Sequence, residues 1–377
     1  MYIKKYSDER EGVFVTKPSL PPLEEYIEYL KQIWDKGTLT NMGPIHEEFR
    51  EKLSGFLNAD ICIPTCNGHM AMELALQAME LKGEIITTPY TFASTTHAIV
   101  RNGCTPVFCD VKESDCTLDT EKIEELITDK TVAILPVHVY GFPCNVEEIE
   151  RIAQKHNLKV IYDAAHAFGV TVGDKNIAAF GDVSMFSFHA TKVFNTIEGG
   201  CAVLKDFNTA VRFYQLINFG IMGEERVSFV GANAKMNEFE AAMGLCNLGH
   251  YEENRLKRKN AYESYKEKLS GIDGIRMLKP YRDDVERNYA YCPVFFDEDV
   301  LGISRDAIYK YLYDHNVFVR KYFYPLTSEF DCYAGVKSGG ETPVAKKASM
   351  QVLTLPFYAD IDEETIEYIC GLIKEMI

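Results

Sequence analysis

The chain has 377 residues, a formal net charge of -16, 46% apolar residues and 25% charged residues. That length favours one large domain with a smaller companion over a single small core, and the composition is that of a water-soluble globular protein. The acidic balance speaks against nucleic acid and anionic membranes as partners, because both reward clustered Lys and Arg.

Residues 1–22 carry charges at Lys4, Lys5, Asp8, Glu9, Arg10 and Glu11 and have no apolar core of the signal-peptide type. The longest uncharged runs, 85–100 and 132–146, are broken by Pro, Thr, His or Gly, so neither is expected to span a bilayer. A cytoplasmic location is expected. The 11 cysteines include no C-x-x-C pair, Cys62 and Cys66 being the closest, and are read as reduced thiols rather than a disulfide or zinc framework.

Strand-like apolar runs recur at 61–64, 85–88, 106–109, 132–138, 159–162, 182–188 and 201–204. Several alternate with helical patterns, which predicts seven strands of a mostly parallel sheet covered on both faces. Residues 70–81, rich in Met, Ala, Leu and Glu, read as a helix. So do 145–157, with Asn145 as N-cap and Glu148 at capping-box spacing. After Gly249 the texture changes. Residues 251–269 predict a long connecting helix, followed by strand-like 289–296 and 317–324 and two late helical stretches. The expectation is a large α/β domain over 1–249 and a smaller α+β domain over 250–377.

The chemistry centres on Ser187-Phe188-His189-Ala190-Thr191-Lys192, with Gly199 and Gly200 soon after. A lysine just past a short apolar strand suits a Schiff-base nucleophile; an ordinary loop lysine is the plainer alternative. Asp163 ends the run from Lys159 to Tyr162, so it is expected at the carboxyl edge of a strand, where a helix cap is the competing role. These are two groups that a pyridoxal phosphate site needs, one for the pyridine nitrogen and one for the aldehyde. The phosphate needs amides at a helix start. Cys66-Asn67-Gly68-His69-Met70 offers such a start, although it also reads as a simple strand–turn–helix connection. An aromatic of Tyr90-Thr91-Phe92 could lie on the cofactor ring or in the core. His166 could touch the ring or serve structure alone, and Ser187 could bond the phosphate. Neither G-x-G-x-x-G nor G-x-x-x-x-G-K-[ST] occurs, which weakens dinucleotide and nucleoside-triphosphate readings.

Asp163-Ala164-Ala165-His166, then Ser187 to Lys192, then Glu198-Gly199-Gly200 closely resemble the nucleotide-sugar aminotransferases of the DegT type. These are pyridoxal phosphate enzymes with the aspartate aminotransferase (type I) fold. The resemblance covers nearly the whole chain. Further blocks in family order are Thr40-Asn41-Met42-Gly43-Pro44, Pro136-Val137-His138-Val139-Tyr140-Gly141, Gly231-Ala232-Asn233-Ala234-Lys235-Met236-Asn237 and Leu355-Pro356.

The resemblance implies that Lys192 bonds the cofactor aldehyde, Asp163 pairs with the pyridine nitrogen, His166 contacts the ring and Phe92 stacks on it. Gly68, His69, Met70 and Ser187 would hold the phosphate. Asn233 would reach the phosphate of a neighbouring subunit, which implies an obligate homodimer. His69 departs from the Thr that relatives commonly carry. Lys192 favours amino transfer, since dehydratase relatives have His there. Arg320-Lys321-Tyr322-Phe323-Tyr324-Pro325-Leu326 resembles the branch that makes dTDP-4-amino-4,6-dideoxyglucose. The implied reaction moves the amino group of glutamate to a dTDP-4-keto-6-deoxyhexose, with Lys321 and Tyr322 as candidates for the wall of the sugar cleft. Alternatives are amination of a 3-keto-sugar or another keto-sugar on the same fold, a pyridoxamine-dependent dehydratase, or a non-catalytic regulator, for which no basic DNA-binding segment exists.

Overall fold

Strand periodicity in this chain sorts apolar side chains onto two opposite faces of one sheet. The computed structural model describes residues 12–335 and 339–377, so the charged residues from Lys4 to Glu11 lie outside the described residues. A two-residue strand, β1 (Val13–Phe14), stands apart from the main sheet. The main sheet takes β2 (Cys62–Thr65), β3 (Glu84–Thr87), β4 (Thr105–Phe108), β5 (Thr131–Leu135) and β6 (Lys159–Asp163). A small pair, β7 (Thr171–Val172) and β8 (Lys175–Asn176), intervenes before β9 (Val183–Ser187) and β10 (Gly200–Leu204) complete it.

These seven strands lie in the order β2-β10-β9-β6-β5-β3-β4. All run parallel except β10, which is antiparallel to both of its neighbours. Every expected strand is therefore present, with limits moved by a residue or a few. The strand expected over 132–138 ends at Leu135, where Pro136 has no amide to extend the ladder. The parallel arrangement brings the carboxyl ends of β2, β3, β6 and β9 to one edge, and the start of β10 joins them there. Gly200 pairs with Thr65 on one side and Ser187 on the other.

Alternate residues feed two cores, as a strand period of two requires. Ile85, Ile161, Met185 and Ala202 face a cluster built with α3 (Gly68–Ala78), α4 (Ala93–Arg101) and α6 (Phe207–Leu216). Ile86, Tyr162, Phe186 and Cys201 face the opposite cluster, with residues of α1 (Leu23–Lys36), α2 (Pro44–Leu57), α5 (Val146–His156) and α7 (Glu238–Gly249). The capping signal at Asn145 is realised, its side chain accepting the Glu148 amide at 3.3 Å. The helix expected from residue 70 starts earlier, at Gly68, because the Asn67 side chain caps it by accepting the Met70 amide at 2.8 Å.

Beyond α7, the long helix α8 (Tyr251–Leu269) has the limits its charge and apolar spacing predict. An antiparallel sheet of β11 (Ile275–Met277), β13 (Pro293–Phe296) and β15 (Val352–Thr354) follows, while β12 (Val285–Glu286) joins β7 and β8. One turn, α9 (Glu298–Leu301), then α10 (Arg305–Asp314), α11 (Pro343–Gln351) and α12 (Glu363–Met376) complete this part. Tyr265, Leu269, Val294, Leu312, Leu353 and Ile369 belong to a third core cluster. Two expectations are corrected here. The run 289–296 becomes a strand only from Pro293. The run 317–324 holds only β14 (Val317–Phe318), which pairs in parallel with β1 and so ties the N-terminal segment to the C-terminal part.

Two buried carboxylates fasten helix starts, where amides lack intrahelical acceptors. Asp110 accepts the Val344 and Ala345 amides at 3.1 and 2.8 Å, at the start of α11. Glu238, the first residue of α7, accepts the Ile45 and His46 amides of α2, both at 3.0 Å. We expect Glu238→Ala to destabilise the protein by about 3 kcal/mol, the cost of stranding two buried donors, and Glu238→Gln to cost less because one acceptor survives. Denaturant unfolding of both variants beside the parent measures this; equal stability of Glu238→Ala and the parent would refute the role.

Candidate active site

The loop between β9 and β10 carries Lys192 and is held from below by aromatic packing. Phe188 and Phe194, on either side of the lysine, are fully buried. Phe194 stacks on Phe168 at 4.3 Å, and Phe188 meets Phe168 edge-on at 5.5 Å. Aromatic pairs in such offset and edge geometries add to plain area burial. The loop returns to β10 through Gly199, at φ +153, where a Cβ would lie 2.0 Å from the Thr196 hydroxyl. Only glycine allows that close return. Lys192 itself is half-buried, and its Nζ donates to the Tyr291 hydroxyl at 3.3 Å.

Asp163, at the end of β6, is buried. The Thr95 hydroxyl donates to Oδ2 at 2.7 Å and the Ala165 amide to Oδ1 at 3.1 Å. Thr91 and Thr95 share a further hydroxyl hydrogen bond at 2.8 Å. Burial pushes the Asp163 carboxyl above its ordinary pKa, and the Thr95 and Ala165 hydrogen bonds and the Lys192 charge offset that only in part. His166 is buried too, and burial, then the Lys192 charge, hold its imidazole well below the usual histidine range. Its Nδ1 accepts the Tyr140 amide at 3.1 Å. A neutral ring accepting at Nδ1 carries its proton on Nε2.

The start of α3 abuts Ser187. A Cβ on Gly68 would lie 2.8 Å from the Ser187 Cβ, and one on Gly200 would lie 2.6 Å from the Gly68 nitrogen. Glycine at both positions is what lets the helix start, the end of β9 and the start of β10 meet. The Met70 amide is engaged by the Asn67 side chain, so Gly68 and His69 supply the first-turn amides of this helix. The His69 side chain turns toward its neighbours. Its Nδ1 lies 2.8 Å from the Ser94 hydroxyl and its Nε2 3.2 Å from Glu73, which also pairs with Arg101 at 2.6 Å. Burial lowers the His69 pKa, with Glu73 the strongest opposing influence.

Of the two neighbouring aromatics, Tyr90 is the core residue, fully buried with its hydroxyl 2.7 Å from that of Tyr140. Phe92, in the N-cap position of α4, is 61% exposed. Tyr322 is half-buried and edge-on to Tyr291 at 6.3 Å. Lys321 turns elsewhere, paired with Asp306 at 2.6 Å and lying over the Tyr309 ring at 4.6 Å. Asn233 is exposed and accepts the Lys235 ammonium at 3.1 Å. Sequence reasoning missed Thr95, Ser94 and Tyr291. Thr95 and Ser94 were hidden in an uncharged helical run, and Tyr291 in a strand-like run whose aromatics read as core.

Residues 23–374 match the model of the DegT/DnrJ/EryC1/StrS aminotransferase family. The dTDP-4-amino-4,6-dideoxy-D-glucose transaminase of Shigella dysenteriae is 43% identical over 364 residues, covering 97% of this chain and 99% of that protein. The transaminase of the same name from Escherichia coli is also 43% identical over 364 residues, covering 95% and 97%. The crystal structure of DesI in the presence of its TDP-sugar product has a TM-score of 0.92 at 32% identity, covering 97% of this chain and 93% of that one. Helicobacter pylori PseC has a TM-score of 0.90 at 24% identity, a likeness of fold. The α/β architecture with its seven-stranded, mostly parallel sheet is the type I aminotransferase fold that the resemblance implied. This chain is an aminotransferase and belongs to the DegT/DnrJ/EryC1/StrS family.

Proposed function

We propose that this aminotransferase uses pyridoxal 5'-phosphate to move the amino group of glutamate to a dTDP-4-keto-6-deoxyhexose, giving dTDP-4-amino-4,6-dideoxyglucose. One observation carries this reading. A lysine, a buried carboxylate lacking full compensation and a helix start beside a serine all lie at the carboxyl edge of one sheet. That edge is where open α/β sheets bind ligands. The names of the 43% identical relatives support the substrate.

The residues fit the cofactor. The Gly68 and His69 amides and the Ser187 hydroxyl are donors suited to a phosphate. Met70 contributes by shaping the helix turn, its amide being taken by Asn67. Exposed Phe92 is available to cover a face of the ring. Asp163, short of positive charge in its buried setting, suits a protonated pyridine nitrogen. His166, kept neutral, offers an Nε2 proton without adding charge beside Lys192.

When bound, pyridoxal phosphate supplies a reversible carrier for the amino group and a sink for the electrons released at a substrate carbon. Lys192 would hold the cofactor aldehyde at rest. As a free amine, Lys192 Nζ would take the α-proton of glutamate, and in the second half-reaction it would deliver a proton to the sugar carbon that becomes aminated. One lysine serves both substrates in turn, so ping-pong kinetics follow. A lysine at this position also favours transfer over dehydration. Tyr322 borders the partner of Lys192 and suits the wall of the sugar cleft, whereas Lys321 would have to leave Asp306 to join it.

A homodimer belongs to the same proposal, with Asn233 reaching the phosphate of the second copy. Support comes from the segment before Asn233, where Val227 and Val230 are 67% and 90% exposed. Apolar side chains so open call for cover. The division into domains at Gly249 is supported by the third core cluster, whose buried members all come from α8 onward. A cytoplasmic setting is supported by cysteines that are free throughout the described residues.

The protein mixed with pyridoxal phosphate should show the visible absorption of a lysine-bound cofactor. Lys192→Ala should lose that band, together with at least about 10³-fold in turnover. A variant that keeps both would overturn the assignment. Magnetic resonance of the product from glutamate and dTDP-4-keto-6-deoxyglucose should show the new nitrogen at C4; no amination of this substrate, with turnover of the 3-keto isomer instead, would favour the 3-keto-sugar reading. Mixing Lys192→Ala with Asn233→Ala, each impaired alone, should restore activity through hybrid dimers that hold one intact site. Absence of complementation would remove Asn233 from the neighbouring site.

A further inference from the structure

Tyr291 lies in the segment that leads into β13, which follows the connecting helix in the chain and so is far in sequence from the loop that bears Lys192. It is buried, and its ring is braced by His166 at 4.9 Å, Tyr140 at 5.9 Å and Tyr322 at 6.3 Å. A ring wedged in this way cannot swing aside, so the place of its hydroxyl is set by packing. The hydroxyls of Tyr90 and Tyr140 are spent elsewhere. Tyr90 and Tyr140 bond each other at 2.7 Å, and Tyr140 donates to the Tyr322 carbonyl. The Tyr291 hydroxyl instead accepts from Lys192 Nζ at 3.3 Å, with that Nζ 5.8 Å from the centre of its ring.

We propose that Tyr291 is a positioning residue for the proton transfers of this enzyme. Its oxygen takes one N–H of the free Lys192 amine and so aims the lone pair of that amine at the substrate carbon. After the lysine has taken the α-proton, the same oxygen keeps the ammonium in place for the return transfer. The phenol keeps its own proton throughout; the proton that moves is carried by the lysine. This role rests on the reading of Lys192 as the proton carrier. It also gives the C-terminal part of the chain a direct hand in the chemistry, since Tyr291 brings the orienting group to a lysine supplied by the large sheet.

Tyr291→Phe tests the proposal, because it keeps the braced ring and deletes only the acceptor. With pyridoxal phosphate the variant should retain the full visible absorption and the melting temperature of the parent. In stopped-flow measurement of the half-reaction with saturating glutamate, its rate should fall about 10- to 100-fold. The kinetic isotope effect with glutamate deuterated at the α-carbon should rise at the same time, since proton transfer becomes the slow step. A purely structural role would not move that isotope effect. Parental rate and isotope effect in Tyr291→Phe would overturn the proposal, as would loss of the visible band. Failure of the underlying reading has a different signature, namely Lys192→Ala retaining both the band and the half-reaction.

Discussion

Asp163 places a carboxyl group at the buried end of a central strand, where ionisation is costly unless opposite charge or hydrogen bonds meet it. Much of the site follows from how that cost is met. The start of α4 lies against the end of β6 so that Thr95 can donate to the carboxylate, and the chain turns after the strand so that Ala165 can do the same. These two bonds leave the carboxyl short of compensation. Lys192 is the cation that senses it, and a protonated ring nitrogen is the species that would complete it. A polar group held this way is a liability for folding and an asset for binding.

The second constraint concerns the lysine, whose loop is anchored while its side chain extends away from the anchor. Its loop is fixed by Phe188 and Phe194 against Phe168, and by the glycine turn that closes onto β10. The side chain leaves that anchor and reaches Tyr291, in the segment that leads into β13. The carboxylate of Glu238 holds α2 to α7 beneath the aromatic cluster, since Phe49 of α2 packs on Phe194. Packing, capping and chemistry are thus linked through a short series of contacts.

The fold was largely legible from residue order. Neighbours such as Ile85 and Ile86 alternate between two cores, and that alternation is local and visible. Asn145 announced its helix through capping chemistry that acts within one turn. β1 left no sign, because a two-residue strand has no period, and its pairing with β14 joins opposite ends of the chain. In the site, the order of Asp163, Ser187 and Lys192 carried the signal. The side chain of His69 did not, since one partner, Ser94, comes from another helix, although Glu73 lies one turn along its own. Lys321 was adjacent to the right segment, yet Asp306 on α10 claims it.

By itself the sequence determined the class of fold and the seven strands, and it singled out Lys192 and Asp163 as candidates for the site. Those properties reside in periodicity, caps and motif order, which act over a few residues. Only the tertiary structure decided which groups face one another: Thr95 on Asp163, the Tyr140 amide on His166, Tyr291 on Lys192. The physical reason is that a hydrogen bond depends on ångström distances between segments far apart in the chain. Those distances are set by how the helices and sheets pack, not by the spacing of residues along any one of them.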